Sequence, residues 1–174
     1  CEANPIIAAN TQMQIPLSYN QVWAVLRPES SDSRCRYLLA SGFLGRFCVS
    51  GSLDKLSDSQ LTLMREAFAF YEKLKPLIKK GESQVEQRLS SKSYDHPSGV
   101  QVFRRKGMVG EFIVVHAFAH SPQKIDVAID PHLKVAESFK ADSVKALKRG
   151  GKLSIEGLGD FSAAAFLLTS GKRS

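Results

Sequence analysis

The spacing of apolar residues changes once along this 174-residue chain, near Ser83. Before that point apolar residues form short runs and helical stripes; after it they alternate with polar ones. "PIIAAN", residues 5–10, is a short apolar run bounded by Pro5 and polar residues, and it predicts a buried strand. A polar loop over 11–21 leads to a second apolar run, "VWAVLR", ended by Pro28. Residues 29–45 predict a helix. Ser30 to Ser33 offer caps, Cys35, Leu38, Leu39 and Phe43 share one face, and Gly45 closes it. "RFCVS" predicts another short strand, which Gly51 ends.

The next element is the most strongly marked. Ser57 followed by Gln60 three residues later is a capping box, and Leu56 and Leu61 stand in the hydrophobic-staple positions. Asp58 in the first turn and Lys79 and Lys80 in the last suit the helix dipole. Leu61, Met64, Ala67, Phe68, Tyr71, Leu74 and Ile78 form a stripe, widened by Leu63, Phe70 and Leu77. The pattern predicts one helix over 58–80, about 35 Å long, with Pro76 bending its last turns and Gly81 stopping it.

Beyond Ser83 the chain reads as strands. "VEQRLSS" alternates, "GVQVFRRKG" and "EFIVVHAFAH" flank a hairpin turn, and "QKIDVAID" and "LKVAESF" follow. Two short strands surround Gly150-Gly151, and "DFSAAAFLLTSGK" closes the series. Short strands at this spacing predict an antiparallel β-sandwich over 84–174. Residues 1–83 read strand, helix, strand, helix, the grammar of a parallel α/β structure. Two parallel strands need both faces buried, and two helices cannot cover them. Residues 1–83 are therefore expected to be the tail of a larger α/β domain.

Composition changes this picture little. The net charge of +7 is spread over the chain. Its densest runs, Arg104-Arg105-Lys106 and Lys148 to Lys152, lie beside glycines and read as solvated turns. Without aromatics interleaved among them, they do not make a nucleic-acid face, and no nucleic-acid partner is expected. No apolar run is long enough to cross a membrane as a helix, and no membrane partner is expected. Three cysteines without a CxxC pair argue against a disulfide framework. His116 and His120 lie on one expected strand, well apart, with no carboxylate cluster beside them; no metal and no cofactor are expected.

Three stretches carry a family resemblance: "NPIIAANTQMQIPLSYNQVWAVLRPE", "YLLASGFLGRFCVSGSLDKLSDSQLTLMREAFAFYEKLKPLIKKGES" and the terminal sandwich. Together they resemble the C-terminal part of melibiase-type α-galactosidases, retaining glycoside hydrolases with a (β/α)8 barrel. The family's helix-introducing cap is similar to Leu56-Ser57-Asp58-Ser59-Gln60 here, and its aromatic stretch to Phe70-Tyr71-Glu72-Lys73. A family strand is similar to Val114-Val115-His116-Ala117-Phe118. Ser52 departs from the pattern, standing where relatives usually carry an acidic residue.

The resemblance implies that residues 1–83 are the seventh and eighth βα units of the barrel and 84–174 the C-terminal sandwich. It also implies two catalytic carboxylates on the fourth and sixth barrel strands, upstream of Cys1. No catalytic residue is assigned in this chain, and Asp54 and Asp58 read as structural. Such barrels bind substrate at the C-terminal ends of their strands. Those ends would be Asn10 to Gln12 and Cys48 to Gly51. Asn10, Gln12, Cys48 and Gly51 are thus the candidate sugar-binding residues, with loop-fixing as the alternative role. Trp23 and Tyr19 are the stacking candidates, although Trp23 in an apolar run reads first as core. The expected partners are a carbohydrate and the upstream part of the same polypeptide. The alternative is a non-catalytic carbohydrate-binding or scaffolding sandwich with a helical prefix.

Overall fold

The structure is a computed structural model, and it describes residues 2–170. Cys1 and the end of the last expected strand, past Ser170, lie outside the described residues.

The chain opens on a helix, α1 (Asn4–Thr11), where a strand was expected. A short apolar run bears no period of its own, so neighbouring residues decide it. Here Pro5 sits in the first turn, where a missing N–H costs nothing, and Ala8 and Ala9 favour helix. The first strand is instead β1 (Gln21–Leu26), drawn from "VWAVLR". Next come α2 (Asp32–Gly42), β2 (Arg46–Gly51) and α3 (Asp58–Lys80). β1 and β2 pair in parallel, Gln21 opposite Arg46 and Leu26 opposite Gly51. Helix α2 starts at the Ser31 cap, whose hydroxyl accepts from Arg34 N. Helix α3 has the expected bounds and a complete capping box, and it continues through Pro76.

At Glu82 the chain turns to sheet: β3 (Glu82–Lys92), β4 (Pro97–Gly107), β5 (Gly110–Ala117), β6 (Lys124–Ala128), β7 (Leu133–Phe139), β8 (Lys145–Arg149), β9 (Lys152–Glu156) and β10 (Ser162–Ser170). They form two antiparallel sheets, ordered β3-β4-β5-β10-β7 and β6-β9-β8. Alternation explains the packing. Val100, Val102, Ile113, Val115, Ala164 and Phe166 face Ile125, Val127, Leu153 and Ile155 of the smaller sheet. The intervening residues, among them Phe103, Phe112, Val114 and Leu167, point the other way and pack with the helices.

One apolar cluster therefore runs from the buried face of β1 and β2 through the helices to the larger sheet. Phe43 sits at its crossing, with ring centroids 5.7 Å from Phe47, 5.3 Å from Phe70 and 5.3 Å from Phe139. Arg105 adds a polar tie. It was expected in a solvated turn but lies in β4, where its guanidinium donates to Leu77 O, Ile78 O and the Ser83 hydroxyl. It thereby satisfies the last carbonyls of α3 with a positive charge, the favourable sign at a helix C-terminus. Its neighbour Arg104 is also occupied: Nε lies 2.9 Å from Oε1 of the buried Glu111. The two atoms are poorly aligned for a hydrogen bond, so the contact is ionic. Burial pushes the Glu111 carboxyl above its ordinary value, with Arg104 opposing.

Candidate functional site

The candidate site follows from the parity of β1. The carbonyls of Asn20 and Leu26 accept from Arg46 N at 2.7 Å and Ser52 N at 3.3 Å. Even-numbered residues thus aim their backbone groups at β2, and their side chains Val22, Ala24 and Leu26 are buried under the helices. Odd-numbered residues do the opposite. Gln21, Trp23 and Val25 turn their backbone groups to the open edge and their side chains to the uncovered face. Trp23 is 49% exposed and Val25 43%. Opposite them on β2 stand Cys48 and Ser50.

A cleft of about 610 Å³ lies along this edge, between α1, β1 and α2. Trp23 and Val25 line it from the strand, Asn4 from α1, Arg34 from α2, and Arg27 and Ser30 from the loop after β1. Asn4 Nδ2 reaches Trp23 O at 3.5 Å. Arg34 is held by an ion pair to Glu2, and its guanidinium lies 5.3 Å from the Tyr37 ring centroid. The edge of β2 is treated differently: the Tyr71 hydroxyl accepts from Phe47 N at 3.3 Å and donates to Gly45 O at 3.0 Å. Burial pushes the Tyr71 phenol up from its ordinary value.

The four candidate residues do not converge. Cys48 lies on the uncovered face of β2, half-buried, with Sγ 3.5 Å from Arg46 O. Gly51 ends β2 with φ of +115°, and a Cβ there would stand 1.9 Å from Leu26 O. The close approach it permits is to backbone, which only glycine allows. Asn10 and Gln12 are placed elsewhere, because the segment expected to be a strand is α1. They stand at its C-terminal end, near the start of β1, where Asn20 Nδ2 donates to Ala8 O at 3.0 Å. Asn10 Oδ1 accepts from Gln87 on β3 at 3.1 Å. Gln12 is buried, and its amide has no hydrogen-bond partner among the described residues. Tyr19 is 76% exposed in the loop before β1.

Two structural features of this region escape the sequence. One is the exposure of Trp23, which the apolar run disguises. The other is Gln60, whose side chain reaches the loop after β1 as well as its own cap; glutamine at the third position of a capping box is the only sequence signal. His120 takes a left-handed backbone, φ 54°, past the end of β5, while His116 is wholly buried. The Ser41 hydroxyl donates to Tyr37 O at 3.0 Å and so accepts from His116 Nε2–H at 3.2 Å, leaving Nδ1 bare. Burial pushes His116 down to about 3. Among the described residues no group of His, Cys, Asp or Glu could hold a metal ion. Among the described residues, Tyr94 is the large aromatic that the sandwich exposes.

The class of architecture is now defined: a parallel βαβ segment with flanking helices, packed on an antiparallel sandwich. The galactosidase domain of the α-galactosidase–sucrose kinase AgaSK shares it over 97% of this chain, with a TM-score of 0.64 at 17% sequence identity. The chain spans 24% of that structure's length. An α-amylase from H. orenii overlays 67% of the chain and 21% of its own, with a TM-score of 0.43 at 19% identity. An Anoxybacillus α-amylase overlays 82% and 33%, with a TM-score of 0.47 at 14% identity. At these identities the likeness to the galactosidase domain establishes the fold, in agreement with the resemblance in the sequence, and the two amylases add nothing to it. No protein-family profile and no curated protein sequence matches the chain.

Proposed function

We propose that the chain is the C-terminal portion of a glycoside hydrolase of the α-galactosidase type. In this reading α1 is the end of the helix before the seventh barrel strand, β1 and β2 are the seventh and eighth strands, and residues 84–174 are the accessory sandwich. The observation that carries it is the half-covered parallel pair. β1 and β2 bury one face, while Trp23 and Val25 stand on an uncovered face and β1 has a strand edge that pairs with no other strand among the described residues, where further parallel strands would lie. The fold shared with the AgaSK galactosidase domain supports the same reading.

A sugar would then meet the C-terminal ends of β1 and β2, with Cys48, Gly51 and the Arg27–Ser30 loop at its margin. Asn10 and Gln12 lie too far toward the other end to join them. The two carboxylates of a retaining mechanism, one forming the glycosyl-enzyme bond and one protonating the leaving oxygen, would come from upstream strands. The test is hydrolysis of 4-nitrophenyl α-D-galactoside by this chain and by a polypeptide extended upstream to six further βα units. The extended form is expected to release nitrophenol with retention at the anomeric carbon, and the short chain to be inactive. Turnover by the short chain would refute the proposal.

A further inference from the structure

Gln60 holds more than its own helix. It is 2% exposed, and its Oε1 accepts from Ser57 N at 3.0 Å, the ordinary capping-box contact. Its Nε2 lies 3.2 Å from Arg27 O, 3.3 Å from Pro28 O and 2.7 Å from Ser30 O. An amide nitrogen has two hydrogens, so three carbonyls share two donors, with Ser30 nearest. These carbonyls belong to the loop between β1 and α2, within which Ser30 N donates to Arg27 O at 3.0 Å and Arg27 pairs with Glu29 at 3.9 Å. Arg27 and Ser30 also line the cleft beside Trp23. Without the amide, the carbonyls of Pro28 and Ser30 would lose a buried partner, and the loop would be free to turn them to water.

Building on the reading of the Arg27–Ser30 loop as part of the margin of a sugar site, we infer that Gln60 is a positioning residue: it sets the shape of that loop at the C-terminal end of β1. One amide thus fixes a helix start with its oxygen and a site loop with its nitrogen. If Gln60 served the helix alone, losing any part of the cap would have the same effect as losing the amide.

Three variants of the full chain separate these cases. Ser57→Ala removes the cap hydroxyl and leaves the Gln60 nitrogen in place. Gln60→Glu keeps an acceptor for Ser57 N but sets a carboxylate against three carbonyls. Gln60→Met is uncharged, of similar size, and serves if the carboxylate prevents folding. Hydrogen exchange of residues 27–31 and acrylamide quenching of Trp23, the chain's one tryptophan, are the readouts. Both Gln60 variants should speed exchange of the loop amides at least tenfold and change the quenching of Trp23, with the middle of α3 unaltered. Ser57→Ala should affect the first turn of α3 only. The inference is overturned if the Gln60 variants leave loop and Trp23 as in the parent, or if Ser57→Ala loosens the loop equally. The sugar reading is tested separately by the upstream-extended polypeptide: no nitrophenol release there counts against the sugar and not against the clamp.

Discussion

The two sheet systems of this molecule stand in opposite conditions. The larger sandwich sheet is covered on both sides, by helices on one and by the smaller sheet on the other. The β1–β2 pair is covered on one side and bare on the other, with Trp23 and Val25 in the open. Antiparallel sheets tolerate a wet face because alternation supplies polar residues for it; β6, β8 and β9 do so with Lys124, Lys145 and Lys152. Parallel strands lack that provision. The bare face of β1 carries tryptophan and valine, which is the composition of a core. One sheet system has both faces covered within this chain, and the other has one face bare.

Acid should act most strongly on the joint between the two regions. His116 on β5 meets Ser41 and Tyr37 on α2, its ring edge-on to Tyr37 at 5.2 Å between centroids, with no charged group bearing on it. Its folded pKa is depressed, so the stability it confers is complete above the unfolded value near 6.5 and is lost as pH falls toward about 3. At about 1.4 kcal/mol per pH unit, the total loss is on the order of a few kcal/mol. Urea midpoints at pH 7.5, 5 and 4 should fall less steeply in His116→Gln than in the parent. Parallel pH profiles would show that the joint does not sense acid.

Phe43→Ala probes whether the regions unfold together. The ring contacts β2, α3 and β7, and its loss should cost about 3–5 kcal/mol in a single transition. Separate melting of helix and sheet signals would divide the molecule at Gly81. The smallest effect should come from the bare face. Trp23→Ala is expected to cost under about 1 kcal/mol, against about 3–5 kcal/mol for Phe166→Ala in the sandwich core. Equal costs in chemical denaturation would mean that something covers Trp23 in solution.

Legibility in the sequence followed the amount of local information. Helix α3 carries a cap, a stripe and a charge gradient; its bounds and capping box are met in the structure, while its buried face centres on Leu63, Ala67, Phe70, Leu74 and Leu77 and leaves Phe68 exposed. The sandwich strands carry alternation and glycine turns, and Gly150, with φ of +54°, makes the β8–β9 turn as expected. "PIIAAN" carries only apolarity, which a buried helix and a buried strand share, and the misplacement of Asn10 and Gln12 follows from that one ambiguity. Cys48 and Gly51 lay on a correctly read strand and kept their place on it. Trp23 and Gln60 depend on what lies across space from them, an open face for one and three carbonyls for the other, and no periodicity encodes either.

Gly51 bears on how the tolerance of each position to replacement would be interpreted. In a library of single variants it should appear among the least permissive positions of β2, since any side chain would strike the Leu26 carbonyl on a backbone only glycine adopts freely. Such intolerance beside the proposed sugar margin invites the label of a binding residue. Its source is instead the meeting of two main chains at the strand ends, which would forbid substitution even if no ligand ever came near.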